Sequence, residues 1–487
     1  MANVMNTAGT CCLILSTLLE GKVSFPGSAA YTASLGSYFS LQQADVLPKC
    51  IVAPDTTDDV STALRVLANA TTTAPECLFA IRSGGHSSYA GASNIQSGVT
   101  IDLRGLDSIE TSSDNSSVSV GSGATWGAIY SQLDHSSLSV AGGRSAGVGV
   151  GGLVIGGGIS YLGPRYGWTC DTATSFEVVL ANGSVITADE TQHQDLLWAL
   201  RGGTNNFGVV TKINLRTFEQ AEIWGGVVYH VIDMEDEEII ALSEFSASDT
   251  YDKYSSLITT FGYSGAQGMS AIVNNMEYTK AVVNPPVFQS LSNLSSIYNT
   301  MRLTNMTDLS IETQSLQEDG LRQASATLTI EPTVEAINAS VQAWNTSVPS
   351  VQDVPGVIWS LVLEPLPPTF YAQHNPNDNA LGLSKRHGKS LLVVQLSMTW
   401  LNAEDDDRLA AAAKALIGDI AQRVGKLGAL DPFLYLNYAA PWQQPIASYG
   451  ADNVNKLIKI QKRYDPGNIF THRVPGGFKL PRTPQPA

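Results

Sequence analysis

Two glycine-dense segments constrain this chain more than any other feature. The first, RSGGHSSYAG at residues 82–91, follows the apolar run CLFAI and leads through GASNIQSG into VTIDL. Such short apolar runs read as buried strands, so His86 sits in a glycine loop between two strands. Gly84 and Gly85 lack a Cβ, and backbone there can take positive φ and lie against something flat or anionic that a side chain would push away. A tight turn whose histidine merely ends a strand is the plain alternative. The second segment, GVGVGGLVIGGG at 147–158, contains GxGxxG, with Asp171 downstream at the spacing of a ribose-binding acid. A nicotinamide fold fits it poorly. The pattern follows the loop SVAGGRSA in place of an apolar strand, and GGG at 156–158 falls where a long helix should begin.

At 487 residues the chain exceeds what one core supports, and two domains sharing an interface are expected. Residues 45–217 alternate short strands with helices, including a helix around TWGAIYSQL and a hairpin in SFEVVLANGSVITAD, whose Asn-Gly pair predicts a two-residue turn. Residues 218–430 carry longer strands separated by helices. The plainest helix is AEDDDRLAAAAKALIGDIAQRVGKLG, with acids at its start and bases near its end to match the helix dipole. Residues 431–487 are aromatic and loop-like, and with the N-terminal segment 1–44 they complete an α+β chain whose tail returns to the first domain.

A net charge of -16 with no basic run excludes nucleic acid as a natural partner. No apolar run is long enough to span a bilayer, and CCLILSTLL lacks the charged flank of a signal peptide. Seven N-glycosylation sequons nevertheless occur, at Asn69, Asn115, Asn182, Asn293, Asn305, Asn338 and Asn345. Cys11, Cys12, Cys50 and Cys77 cluster near the start and permit disulfides, with Cys50 expected to pair with Cys11 or Cys12, while Cys170 stands alone. These features favour a secreted protein written without its leader over a reduced intracellular one.

Three separated segments carry a resemblance: RSGGHSSYAG, GVGVGGLVIGGGISYLGPRYGWTCD, and YLNYAAPW with YDPGNIF. In order and spacing they resemble the FAD-linked oxidases of the vanillyl-alcohol-oxidase, PCMH-type fold, in the berberine bridge enzyme-like branch. The resemblance implies an FAD-binding domain and a substrate domain built on a large antiparallel sheet flanked by helices. It makes His86 the covalent anchor of the flavin, attacking as a neutral imidazole. Arg82, Ser83, Gly84, Gly85, Ser87, Gly149, Gly151, Gly152, Gly157 and Asn437 complete the cofactor-binding set. Ser145 stands where many relatives have a second, cysteinyl anchor, so a single histidyl link to FAD is expected. Val148 matches a position that gates dioxygen, with plain loop packing as the alternative. Leu153 replaces a histidine that in some relatives touches the flavin.

For catalysis the resemblance points to Gln395, Tyr435 and Tyr438. Berberine bridge enzyme has a glutamate base where this chain has Gln395, which cannot take a proton, and Val393 stands where some relatives have a tyrosine-activating lysine. Tyr435 or Tyr438 is then the expected base, with a pKa that a neighbour must lower, although half-buried packing is the plain role of such tyrosines. The expected reaction is oxidation of a small, largely apolar natural product by hydride transfer to flavin N5, with O₂ returning the flavin and leaving H₂O₂. Rivals are an oligosaccharide oxidase, a cyclase or isomerase whose flavin does no redox work, and a flavin-bearing protein without catalysis. No metal and no membrane are expected, the partners being a small-molecule substrate and O₂ on a monomer.

Overall fold

The computed structural model describes residues 9–69, 77–247, 251–371, 378–386 and 388–483. The two apolar runs around His86 are strands Phe79–Arg82 and Val99–Asp102, paired in parallel, with Cys50–Val52 and Val23–Ser24 beyond them. A second sheet of five antiparallel strands follows, in the order Ile109–Thr111, Ser117–Gly121, Val209–Arg216, Ala173–Val179, Val185–Asp189. The Asn-Gly hairpin differs from the two-residue expectation. Val179 pairs with Val185, Leu180 N donates to Ser184 O (2.9 Å), and Gly183 takes φ +80°. The glycine fills a left-handed position one residue beyond where a two-residue turn would need it, so the loop holds three residues.

Two disulfides tie the helix Thr10–Leu18 to this first domain: Cys12 to Cys50, as one of the two expected pairings, and Cys11 to Cys77. Cys170 is buried and free. Of the sequon asparagines, 69, 115, 182, 293, 305 and 338 are exposed, while Asn345 is half-buried and donates to Glu235 (2.9 Å). Thr71 of the Asn69 sequon lies outside the described residues.

The large antiparallel sheet has nine strands from Ile223 to Asp431, with Met269–Tyr278, Ser255–Ser264, Ile358–Leu366, Leu391–Trp400 and Arg322–Ile330 at its centre. Because side chains alternate, its two faces differ. One face, including Phe261, Ile272, Leu361, Leu363, Val394 and Leu396, is packed under the helices Glu235–Phe245, Val334–Ser347 and Asp406–Lys426. The other, with Ser325, Glu364 and Gln395, looks toward the first domain. The helix Met306–Ser315 closes that gap against Trp126–Asp134, Thr307 N donating to Asp134 (3.0 Å) and Ala146 N to Ser310 O (3.0 Å). After the sheet the chain returns: helix Ala451–Tyr464 pairs Arg463 with Asp195 (2.8 Å), and Phe79 N donates to Arg473 O (2.8 Å). No helix among the described residues is long and apolar enough to cross a membrane.

Candidate active site

The two glycine segments meet backbone to backbone. A Cβ on Gly84 would lie 2.7 Å from the Cα of Gly149, so neither position admits a side chain. Gly85 has φ +79°, and a Cβ there would meet Arg82 Nε at 2.7 Å. Ser83 Oγ donates to Ser122 O (2.6 Å) and accepts from Gly151 N (3.2 Å), stitching the loops together. Val150–Ile155 is only a six-residue helix, and Asp171 caps a short helix and accepts from Asn379 (2.7 Å), so neither builds a nicotinamide site. At Gly152 the crowding ends. It is exposed, and a Cβ there meets nothing within 4 Å.

His86 lies two residues past this contact, its ring stacked on Phe39 at 3.8 Å and 16°. Burial holds its pKa down to about 4, which keeps the imidazole neutral. Ser87 carbonyl accepts from Ser40 Oγ (2.9 Å), fixing the loop beyond it. Val148 is half-buried, with its carbonyl on Trp126 N (3.1 Å), and Ser145 is half-buried in the same loop. Asn437, exposed on the returning tail, donates to Leu153 O (3.2 Å) next to Gly152. The Gly84–Gly149 approach thus brings the His86 loop to the Val148 loop, and Asn437 joins them through Leu153, around backbone bare of side chains that forms a glycine-floored cradle. A flat, partly anionic group such as FAD fits a floor stripped of side chains, and His86, Gly152 and Asn437 are the residues that would hold it.

Arg82 departs from the cofactor-binding expectation. It is fully buried behind the loop, donating to Ser34 O (2.7 Å) and Ser37 O (2.8 Å) and stacked on Tyr38 at 3.6 Å. It shapes the loop from beneath. Gly157, at φ +115°, packs close to Trp168 and Tyr435.

The catalytic candidates separate. Tyr435 is 2% exposed, accepts from Asn437 (3.0 Å), and packs against Trp168, so it is a support and no accessible base. Gln395 donates to Ser325 Oγ (3.2 Å), which in turn donates to the carbonyl of Tyr438 (2.8 Å). Tyr438 stands at the centre. Its hydroxyl donates to Glu364 Oε1 (3.0 Å) and accepts from Arg144, while Arg144 Nη2 reaches both oxygens of Glu364 at 2.9 Å. Arg144 and Glu364 escaped the sequence reading, and Glu364 overturns the expectation of a site without a carboxylate. It sits on the strand beside Val393, its partner in register. One signal was available: a lone acid inside the apolar run WSLVLEPL.

The neighbours do not lower the tyrosine pKa. Burial pushes the Tyr438 phenol well up, Arg144 opposing and Glu364 reinforcing the rise. Burial works against the charge of Arg144 too, but Glu364 and Tyr438 beside it outweigh that and keep it cationic. A second carboxyl, Glu277, is 1% exposed with Oε2 unpartnered among the described residues. Burial raises its pKa well above the usual carboxylate range despite Arg144, which favours its neutral form. The cluster thus holds one cation and one anion.

The FAD binding domain family model matches residues 48–189, and the berberine and berberine-like model matches residues 434–475. FAD-dependent monooxygenase sdcF of Emericella nidulans is 34% identical over 97% of this chain and 98% of its own length. This chain belongs to the berberine bridge enzyme-like family of FAD-linked oxidoreductases. Oligopeptidase PhomG' of Diaporthe leptostromiformis is 42% identical over 95% of this chain, which spans 37% of that longer protein. Among solved structures, 6-hydroxy-D-nicotine oxidase from Arthrobacter nicotinovorans has a TM-score of 0.79 at 19% identity, covering 95% of this chain and 98% of that one. Xylooligosaccharide oxidase from Myceliophthora thermophila has a TM-score of 0.77 at 20% identity, covering 98% of this chain and all of that one. These likenesses establish the PCMH-type fold of this family member.

Proposed function

We propose that this protein is an FAD-dependent oxidase of a small natural product, with the cofactor joined covalently to His86 alone. The observation that carries the reading is the Arg144–Glu364–Tyr438 triad set beside the glycine cradle. FAD bound there supplies a hydride acceptor that O₂ restores, releasing H₂O₂. Tyr438, its own proton directed at Glu364, receives a proton from a substrate hydroxyl as it passes that proton on, so the carboxylate is the final acceptor. The neutral His86 suits nucleophilic attachment, and Ser145 offers no second anchor. Val148, half-buried in the loop that carries Ser145, is the position we assign to oxygen access, and its half-burial supports that assignment. The monooxygenase relative supports a small-molecule substrate. Two disulfides and six exposed sequon asparagines support passage through the secretory pathway.

Anaerobic mixing with panels of natural products and oligosaccharides tests this. A natural product should bleach the flavin, and Glu364→Gln should slow that step by roughly 10²- to 10⁴-fold. Bleaching by oligosaccharides alone would overturn the substrate class, and no bleaching by any compound would favour a flavin without redox work. Acid-precipitated protein should stay yellow, and His86→Ala should release the colour. Colour lost from the wild-type pellet would overturn the covalent link.

A further inference from the structure

Arg144 is nine-tenths buried, with 10% of its side chain accessible, yet only Nη2 is spent on protein acceptors. Among the described residues Nε and Nη1 donate to nothing, and Tyr438, which accepts from Nη2, is only half-buried. Neither atom is among the buried unpartnered ones, so both reach accessible space, where the oxygen of a ligand or of water can accept from them. Tyr438 has matching spare capacity: of its two lone pairs, one takes Arg144 and one is free. Burial raises the pKa of both Glu277 and Tyr161, each of which is electrostatically coupled to the guanidinium.

Resting on the proton path assigned above, we infer that a free N–H of Arg144, on Nε or Nη1, binds the oxygen of an acidic substrate hydroxyl, a phenol or enol, as its anion. The bookkeeping is closed. The substrate O–H bond breaks and its proton joins Tyr438 Oη, while the Tyr438 O–H bond breaks and that proton joins Glu364. Negative charge moves from Glu364 to the substrate oxygen, and both ends of that move lie against the same guanidinium. The cluster has zero net charge before and after, so no new charge is buried. A sugar hydroxyl is too weak an acid to hold its anion in this way, so the geometry selects against oligosaccharides.

4-Nitrophenol is the probe, since it has no hydride to give and its phenolate absorbs at longer wavelength than its phenol. Added to oxidised holoenzyme at a pH below its own ionisation, it should bind with one-to-one saturation and show the phenolate band. A neutral-phenol spectrum at saturation, or no binding, overturns the inference on wild-type protein alone. With the phenolate offered at higher pH, Arg144→Gln should weaken binding roughly tenfold or more. Unchanged affinity in that variant also overturns the inference. Glu364→Gln separates the two readings. It should lose the low-pH band but bind phenolate at least as tightly as wild type, because the guanidinium has lost its rival anion. A band that persists in Glu364→Gln would refute the proton path while leaving the Arg144 site standing.

Discussion

Each face of the nine-stranded sheet adjoins a buried glutamate beside a basic side chain, and the two pairs hold their proton differently. Toward the first domain, Glu364 takes Arg144 Nη2 on both carboxyl oxygens, and that guanidinium keeps its charge. Under the helices, Glu238 accepts from Asn274 (3.0 and 2.9 Å) and faces His230 Nε2 at 3.5 Å, both side chains fully buried. His230 Nδ1 contacts Ser295 O (3.1 Å), a carbonyl that can only accept, which assigns the proton to Nδ1 and leaves Nε2 bare. Burial raises Glu238 to about 7 and lowers His230, so this pair discharges itself. Burying charge is costly, and of these two pairs only the one on the face that adjoins the cradle retains it.

The sharpest way to break this contrast is to remove each carboxylate. Glu364→Ala strands a buried guanidinium and should cost about 3–5 kcal/mol. Glu238→Gln removes a group that is already neutral below pH 7, and its amide can still donate to His230, so the loss should stay under about 1 kcal/mol. Urea midpoints measured slightly below neutral pH check this; equal losses would mean that Glu238 is ionised too.

A pH series sharpens it next. Glu238 has a folded pKa of about 7, above its ordinary 4.5, so between those values the unfolded chain releases a proton that the folded one keeps. Stability should therefore fall as pH rises across that window, by roughly 3 kcal/mol or a little more in total, and level off above it. Glu238→Gln should flatten that part of the profile. A wild-type profile that rises or stays level there would contradict the discharged pair.

The sequence exposed the cradle but not the triad, for physical reasons. Gly84, Gly85, His86 and Gly149 are legible because close backbone approach admits no other residue, and that demand is written locally. Tyr438 was legible only as one of two tyrosines. Its environment comes from Arg144 and Glu364, 294 and 74 residues away along the chain, through contacts that no local pattern encodes. The same blindness misassigned Arg82, whose partners Ser34 and Ser37 lie in the N-terminal segment, and missed Cys77 as the partner of Cys11. Gln395, whose amide cannot take a proton, owes its place, holding Ser325 under the Tyr438 carbonyl, to strand register.

The smallest expected effects come from one hydroxyl on each face. Thr259 Oγ1 donates to Asn274 Oδ1 (2.7 Å) in a fully buried spot, so Thr259→Val leaves that oxygen unsatisfied at a cost of about 1–2 kcal/mol. Its effect should be on stability alone. Ser325 is half-buried, and water can replace its hydroxyl, so Ser325→Ala should cost less than about 1 kcal/mol. Yet it frees the backbone of Tyr438 from the sheet and leaves Gln395 without its acceptor, so the phenol loses its fixed aim at Glu364. Small misplacements of a proton-transfer group cost rate more than stability, and anaerobic flavin reduction in Ser325→Ala should slow several-fold. Thr259→Val should leave that rate unchanged. A slowed Thr259→Val, or a Ser325→Ala that loses stability and keeps its rate, would show that the two faces do not divide stability from chemistry in this way.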